Sequence, residues 1–288
     1  MLKAWLVINT FTNLDKLKKV YKMLQNSFIE HNINLEIKKA IDIGLDVDLS
    51  LSKKPHFVIF WDKDIYLAKR LEQLGCKLFN SSDAIELCDN KILMYQKLQE
   101  GKIRIPKTYI LPKTFEHLGY TNLSFIKDIV NKIGLPIVIK EAHGSFGYQV
   151  YLAKTIKEIK EIINKIGYKD CLIQEFIKES CGRDVRINVV GNKAIISMLR
   201  VNNNDFRSNI GIGGKGTSFK PKQSFIDLAI KATKLFKLDF AGVDVMFDKN
   251  NQPIICELNS NPLFIGTFKA TKVDLSKYIA KYIVNKMK

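Results

Sequence analysis

One hairpin near the C-terminus constrains this chain more than any other segment. Gly242-Val243-Asp244-Val245-Met246-Phe247 and Ile254-Ile255-Cys256-Glu257-Leu258-Asn259 are apolar runs, separated by the polar stretch Asp248-Lys249-Asn250-Asn251-Gln252-Pro253. That pattern predicts two antiparallel strands joined by a turn. Folded about the midpoint between Asn250 and Asn251, it sets Asp244 opposite Glu257, and Asn259 shares Glu257's face of the strand. Two facing carboxylates repel each other and are costly to desolvate. A hard divalent cation resolves the conflict, and Asp, Glu and Asn oxygens suit Mg²⁺ with nucleotide phosphates completing its shell. A solvated outer face of an edge hairpin is the competing reading. A one-residue slip in register would separate the three side chains, so the segment alone leaves both open.

The rest of the chain gives the hairpin a setting. The first ninety residues alternate strand and helix: strands Lys3 to Asn9, Asn34 to Lys38, Phe57 to Phe60 and Cys76 to Phe79, with helices Leu14 to Glu30 and Ile65 to Leu74. This predicts a small parallel α/β domain. One helix, Asp83 to Gln99, follows with Ser82 or Asp83 as its cap. From Ile105 the pattern is α+β, with strands at Leu135 to Lys140, Gln149 to Leu152, Cys171 to Gln174, Asp184 to Val190 and Lys193 to Arg200. Helices are expected at Ile156 to Lys165, Lys222 to Phe236 and Val273 to Lys286. A length of 288 residues holds two or three subdomains.

Three further stretches carry chemistry. The strand ending in Lys140 leads into His143-Gly144-Ser145-Phe146-Gly147 and straight into a second strand. Strand, glycine loop, strand can lay backbone N–H groups over phosphates, and a lysine at the end of an apolar strand calls for an anion. A tight hairpin, and a nearby carboxylate for Lys140, are the competing readings. Leu172-Ile173-Gln174-Glu175-Phe176-Ile177 runs from a strand into a connector whose backbone could meet an adenine between Phe176 and Ile177, unless it is only core. Alternation in Gly182-Arg183-Asp184-Val185-Arg186-Ile187-Asn188 puts Asp184, Arg186 and Asn188 on one face. Of only six arginines, Arg183, Arg186, Arg200 and Arg207 fall within one stretch of twenty-five residues. In a lysine-rich chain, that clustering points to a need for the planar guanidinium, which suits phosphate and carboxylate. Together these features describe phosphoryl transfer to a carboxylate.

Composition removes some alternatives. The net charge of +17 is spread along the chain with no basic block, which fits solvated lysine faces better than a nucleic-acid patch. Cys76, Cys88, Cys171, Cys181 and Cys256 form no CxxC pair and no metal spacing with the four histidines, which reads as reduced thiols in the cytoplasm. No apolar run approaches the length of a membrane span.

In this order the motifs resemble the ATP-grasp superfamily, and within it the RimK-like branch of ribosomal-protein-S6 glutamate ligases. The resemblance covers roughly 85 to 265. It rests on Asp89-Asn90-Lys91, Pro136 to Lys140 with its glycine loop, Gln174 to Glu179, Gly182 to Arg186, Asp205-Phe206-Arg207-Ser208-Asn209 with Gly213-Gly214, Ala241 to Asp244, and Glu257 to Pro262. It implies a pre-grasp α/β domain (1–88), a central or lid subdomain (89–177) and a C-terminal subdomain with the metal site (178–288). ATP would lie between the last two. Lys91, Lys140, Gly144, Ser145 and Gly147 would then contact phosphates. Glu175, Phe176 and Ile177 would line the adenine hinge, and Asp184 would lie near the ribose. Arg207, Ser208 and Asn209 would meet phosphate or the reacting acyl group, with Arg186 and Arg200 stabilising the acyl phosphate. Asp244, Glu257 and Asn259 would hold Mg²⁺, or Mn²⁺ in its place, with two ions expected.

The implied activity is amide-bond formation through an acyl phosphate. The expected partners are ATP, an amino acid such as glutamate, and a carboxylate-bearing peptide, protein or small molecule. Neither membrane nor nucleic acid is expected; a homo-oligomer is left open. Ser260-Asn261-Pro262-Leu263-Phe264, Ile212, Phe146 and Tyr148 depart from the family pattern where the acceptor would sit, which leaves the identity of both joined substrates open. A ligase for a small metabolite, a peptide-cyclising enzyme and a basic ribosome-binding protein stand as alternatives.

Overall fold

Alternation in the first strand shows how the N-terminal part is built. In Leu2–Ile8, Ala4, Leu6 and Ile8 pack into one core, while Val7 packs into another on the opposite side. A strand buried on both faces belongs at the centre of a helix-covered parallel sheet. The computed structural model describes residues 2–44, 46–48 and 50–288, and in it this strand is internal to a four-stranded parallel sheet. The order is Ile33–Lys39, Leu2–Ile8, Val58–Trp61, Leu78–Phe79. Helix Asp15–Ile29 covers one face through Val20, Leu24 and Phe28, spaced four apart and fully buried. Burying each such side chain contributes roughly 1.5–3 kcal/mol. The C-terminal helix Leu275–Met287 brings Leu275, Ile279 and Ile283 into the same core. The two ends of the chain therefore stabilise one another.

A second, antiparallel sheet runs Thr108–Ile110, Cys171–Glu175, Ile137–Glu141, Val150–Ala153. Ile137, Ile139, Cys171 and Ile173 face helices Phe125–Ile133 and Ile156–Ile166 in a core of their own. The alternate residues Val138, Lys140 and Gln174 face the other way, into a cleft.

A third sheet of five antiparallel strands has the order Lys215–Ser218, Lys193–Val201, Arg183–Val190, Phe240–Phe247, Pro253–Asn259. Val185, Ile187, Val189, Val243, Val245 and Leu258 pack on helices Gln223–Leu235 and Lys91–Glu100. The mixed α/β and α+β architecture read from the sequence is the observed one. Among the described residues no helix is long and apolar enough to cross a membrane.

The single helix expected from Asp83 to Gln99 is instead two, Ser82–Asp89 and Lys91–Glu100. The cap of the first is Ser81, whose Oγ accepts from Ala84 N. Asn90 breaks the run. Its backbone is extended, and its Oδ1 accepts from Ile92 N (2.9 Å) and Leu93 N (3.2 Å), capping the second helix. Lys91 N in turn donates to Ala142 O at 2.8 Å, which ties this helix start to the end of a second-sheet strand. We expect Asn90→Ala to lower stability by about 1 kcal/mol in urea titration. An unchanged midpoint would remove the cap from the energetics.

Candidate active site

The hairpin pairs Asp244 with Glu257, and Gly242 with Asn259. It reaches that register by a route the sequence did not show. Near the turn Val245 pairs with Ile255, Met246 with Ile254 and Phe247 with Pro253, so the loop is centred on Asn250. Asp248 shapes the loop by accepting from the backbone of Asn250 and Gln252. A bulge at Cys256 adds back one residue and restores the expected facing pair. The Cys256 carbonyl accepts from Tyr95 Oη at 2.5 Å, and Tyr95 Oη accepts from Lys140 Nζ at 3.0 Å. The irregularity that sets the register thus also connects the hairpin to a buried lysine across the cleft.

The cleft lies between the inner face of the second sheet and the polar face of the third. The third sheet supplies four interleaved charges. Arg186 clamps Asp244 through Nε and through Nη2 (2.8 Å). Arg200 clamps Asp184 through Nε (2.7 Å) and Nη2, and Nη2 also lies 3.0 Å from Asp244. Register explains the pattern, because Arg186 stands opposite Asp244 on one side and Arg200 opposite Asp184 on the other. All four residues are buried. Burial pushes the Asp244 carboxyl up, but the two guanidinium groups outweigh it and hold it below the usual carboxylate range.

Opposite stand two more buried cations. Lys91 is 5% exposed and Lys140 8%, a state that lysines rarely occupy without an anion. Burial pushes Lys91 down, against the pull of Glu257. Its Nζ donates to Gly144 O (3.2 Å) and lies 3.9 Å from Glu257 Oε1. The glycine loop is held from several sides. Arg207 Nη1 donates to Gly147 O (2.5 Å), Lys63 Nζ donates to Ser145 Oγ (3.2 Å), and Lys16 lies 4.1 Å above the Phe146 ring. Gly147 has φ +82°, and a Cβ there would meet Asn209 Oδ1 at 3.0 Å, so glycine serves both the turn and the close approach. At the other end of the cleft Val138, Phe176, Ile177 and Met246 give an apolar lining.

Of the residues singled out from sequence, Lys91, Lys140, Gly144, Ser145, Gly147, Glu175, Phe176, Ile177, Asp184, Arg200, Arg207, Ser208, Asn209, Asp244 and Glu257 line this one cleft. Arg186 and Asn259 are not on its wall. Arg186 is spent on Asp244, and Asn259 Nδ2 donates to Gly242 O at 3.4 Å. Glu175 lines the hinge, but its carboxylate accepts from Lys107 N (2.8 Å). Arg207 is paired with Asp205 at 2.7 Å while it holds the loop. Sequence reading missed Tyr95 and Lys63. Tyr95 lies four residues after Lys91 on one helix face, a spacing that could have found it. Lys63 comes from the N-terminal sheet, and only the assembled fold brings it here.

Asp244 and Glu257 are register partners and the candidate donors are oxygens, the kind a hard cation prefers, with the Asn259 nitrogen spent on Gly242 O; both Asp244 oxygens are held by Arg186 and Arg200, so a cation there would have to displace a guanidinium. Among the described residues no three His, Cys, Asp or Glu gather as a metal cluster, so the pair needs the amide and phosphate oxygens to complete a shell.

Comparison with known proteins gives the family and the fold. A sequence model described as the RimK-like ATP-grasp domain matches residues 88–283. The chain is 31% identical over 240 residues to human N-acetylaspartylglutamate synthase A, covering 83% of this chain and 60% of that protein. It is 34% identical over 221 residues to a probable alpha-L-glutamate ligase of Vibrio atlanticus, covering 75% and 70%. Among solved structures, a RimK domain ATP-grasp protein from Sphaerobacter thermophilus superposes with a TM-score of 0.74 at 16% identity, over 98% of this chain and 99% of that one.

Proposed function

The chain belongs to the RimK-like ATP-grasp family and is an amide-bond-forming ligase; on that premise we propose that it joins the amine of an amino acid, glutamate first among candidates, to a carboxylate activated by ATP. One observation carries the reading. Two buried lysines face an acid-bearing hairpin across a single cleft, beside buried arginines already paired to acids.

In this reading the base of ATP lies along Glu175, Phe176 and Ile177, with Asp184 on the ribose side. Lys91, Lys140 and the N–H groups of Gly144 to Gly147 hold the phosphates, joined by Arg207, Ser208 and Asn209. Asp244, Glu257 and Asn259 would hold Mg²⁺ or Mn²⁺, singly or as a pair of ions, which supplies charge neutralisation at the phosphates. A carboxylate oxygen of the acceptor attacks the γ-phosphorus and ADP leaves. The amine then attacks the acyl carbon, inorganic phosphate leaves with the original carboxylate oxygen, and the amine gives up a proton. Arg200, on the cleft wall, and Arg186, behind Asp244, would stabilise the charge of the acyl phosphate. The proposed units are a pre-grasp domain (1–88), a central or lid subdomain (89–177) and a C-terminal subdomain with the metal site (178–288), with helix Lys91–Glu100 packed on the third sheet and helix Leu275–Met287 on the parallel sheet across those bounds. The five free cysteines suit a cytoplasmic setting.

Support for glutamate comes from relatives named as glutamate-joining synthases and ligases. The test is Mg²⁺-dependent ADP release across the twenty amino acids, each paired with small carboxylates and with peptides, followed by mass spectrometry. We expect ADP release that needs both an amine and a carboxylate, and a product heavier by one amino acid less water. ADP release indifferent to every pairing would contradict it.

A further inference from the structure

The buried charges that interlock on the third sheet do not hold equal places. Arg186 meets Asp244 from the neighbouring strand through Nε and Nη2, one nitrogen to each carboxylate oxygen. Arg200 meets Asp184 in the same bidentate way, and its Nη2 also lies 3.0 Å from Asp244 Oδ2. Forked pairs of this kind are the strong form of the ion pair. The two arginines differ in their view of the cleft: Arg200 lines it and Arg186 does not. Of the two guanidinium groups on Asp244, that of Arg200 is the one a ligand in the cleft can meet.

Charge around the hairpin favours an anion as the first arrival. Lys91, Lys140, Arg186 and Arg200 face Asp184, Asp244 and Glu257, four cations against three acids. Glu257 is the least engaged of the acids, because its one ion pair is the 3.9 Å contact with Lys91. A divalent ion by itself would approach against this excess and against a guanidinium already seated on Asp244. A phosphate would be drawn in by both.

We propose that Arg200 is a gate on the hairpin acids: it occupies Asp244 until a phosphate of the nucleotide draws its guanidinium away, so that Asp244 opens to a divalent cation only when nucleotide is present. Arg186 stays on Asp244 and keeps that carboxylate ionised and aimed. Asp184 holds the other side of Arg200 and limits how far it moves. Nucleotide thereby strengthens the cation's binding, and by linkage the cation strengthens the nucleotide's. The gate rests on the ligase reading for its nucleotide, but the contact of Arg200 with the two acids stands without it.

The pair Arg200→Met/Asp184→Asn separates the gate from overall charge. It removes one cation and one acid together and leaves Asp244 clamped by Arg186. The full-length chain is titrated with Mn²⁺ alone, and free Mn²⁺ is counted by electron paramagnetic resonance. Affinity for a non-hydrolysable ATP analogue is read without metal, by calorimetry. We expect the pair to bind Mn²⁺ about tenfold more tightly than the unsubstituted chain, and the analogue about tenfold more weakly, each the worth of one hydrogen bond to a charged group. Loss of packing alone would weaken both ligands. Adding Glu257→Gln should remove the Mn²⁺ gain, which locates it on the hairpin. Arg200→Lys, which keeps a cation beside Asp184 without the fork, should move both affinities in the same directions by about threefold. Mn²⁺ affinity that is unchanged or weaker in these variants overturns the gate, as does a gain that survives Glu257→Gln or an undiminished affinity for the analogue. Failure of the ligase reading shows separately, as an unsubstituted chain that binds no analogue with or without Mg²⁺.

Discussion

Glu257→Gln is expected to abolish Mg²⁺-dependent ADP release while leaving the protein folded. Glu257 is half-buried on the hairpin opposite Asp244, and its nearest charged contact is Lys91 at a long 3.9 Å. Glutamine keeps the shape and most of the packing. It removes the long ionic contact of buried Lys91, which keeps its hydrogen bond to Gly144 O, so stability should fall by about 1 kcal/mol and the chain stay folded. What it removes is one of the two facing acids at the proposed cation and phosphate site. Loss of a single preorganised charge of this kind costs on the order of 10²–10³ in turnover, and loss of a metal ligand more. A coupled ADP assay on the folded variant settles the matter; turnover at the level of the unsubstituted chain would refute the metal assignment.

Arg200→Met should be the most destabilising single change in the cleft. Arg200 is 5% exposed and serves Asp184 and Asp244 together. Burial opposes its charge, yet the two carboxylates hold its proton more tightly than usual. Methionine fills similar space but strands Asp184, a buried acid, without its guanidinium. Breaking a buried pair from one side costs about 3–5 kcal/mol. Asp244 is cushioned because Arg186 still clamps it. Adding Asp184→Asn should therefore recover part of the loss, since the stranded charge is then gone. Urea titration of the two variants reads both numbers. A cost under about 1 kcal/mol for Arg200→Met, with no gain from the second change, would show that the network contributes little to stability.

Much of the site could be read from residue order because sheets translate sequence spacing into faces. Alternation placed Asp184, Arg186 and Asn188 opposite Val185, Ile187 and Val189, and the third sheet keeps that division. The Asp244–Glu257 pairing came out as expected although the turn was miscentred, since the bulge at Cys256 compensated. Such a bulge leaves no trace in hydrophobic pattern. It is fixed by Tyr95, a tertiary contact.

The same limit explains the missed elements. Lys215–Ser218 is a polar, largely exposed edge strand with no alternation to reveal it. The break at Asn90 was visible in principle, because asparagine before a helical run is a cap signal, but the apolar periodicity on either side concealed it. That Arg186 and Arg200 are paired with Asp244 and Asp184 needed the register of three strands at once. Lys63 lies on a loop beyond a strand of a separate sheet, where no local pattern points to the cleft.

The fate of one oxygen atom tests the central chemistry most directly. The carboxylate substrate is labelled with ¹⁸O, turnover is run with ATP, Mg²⁺ and the amine in unlabelled water, and the released phosphate is weighed by mass spectrometry. One ¹⁸O per phosphate, formed together with ADP, is the expected result, because the carboxylate oxygen that attacks phosphorus leaves with it. Unlabelled phosphate, or AMP with pyrophosphate in place of ADP, would contradict an acyl phosphate in this cleft.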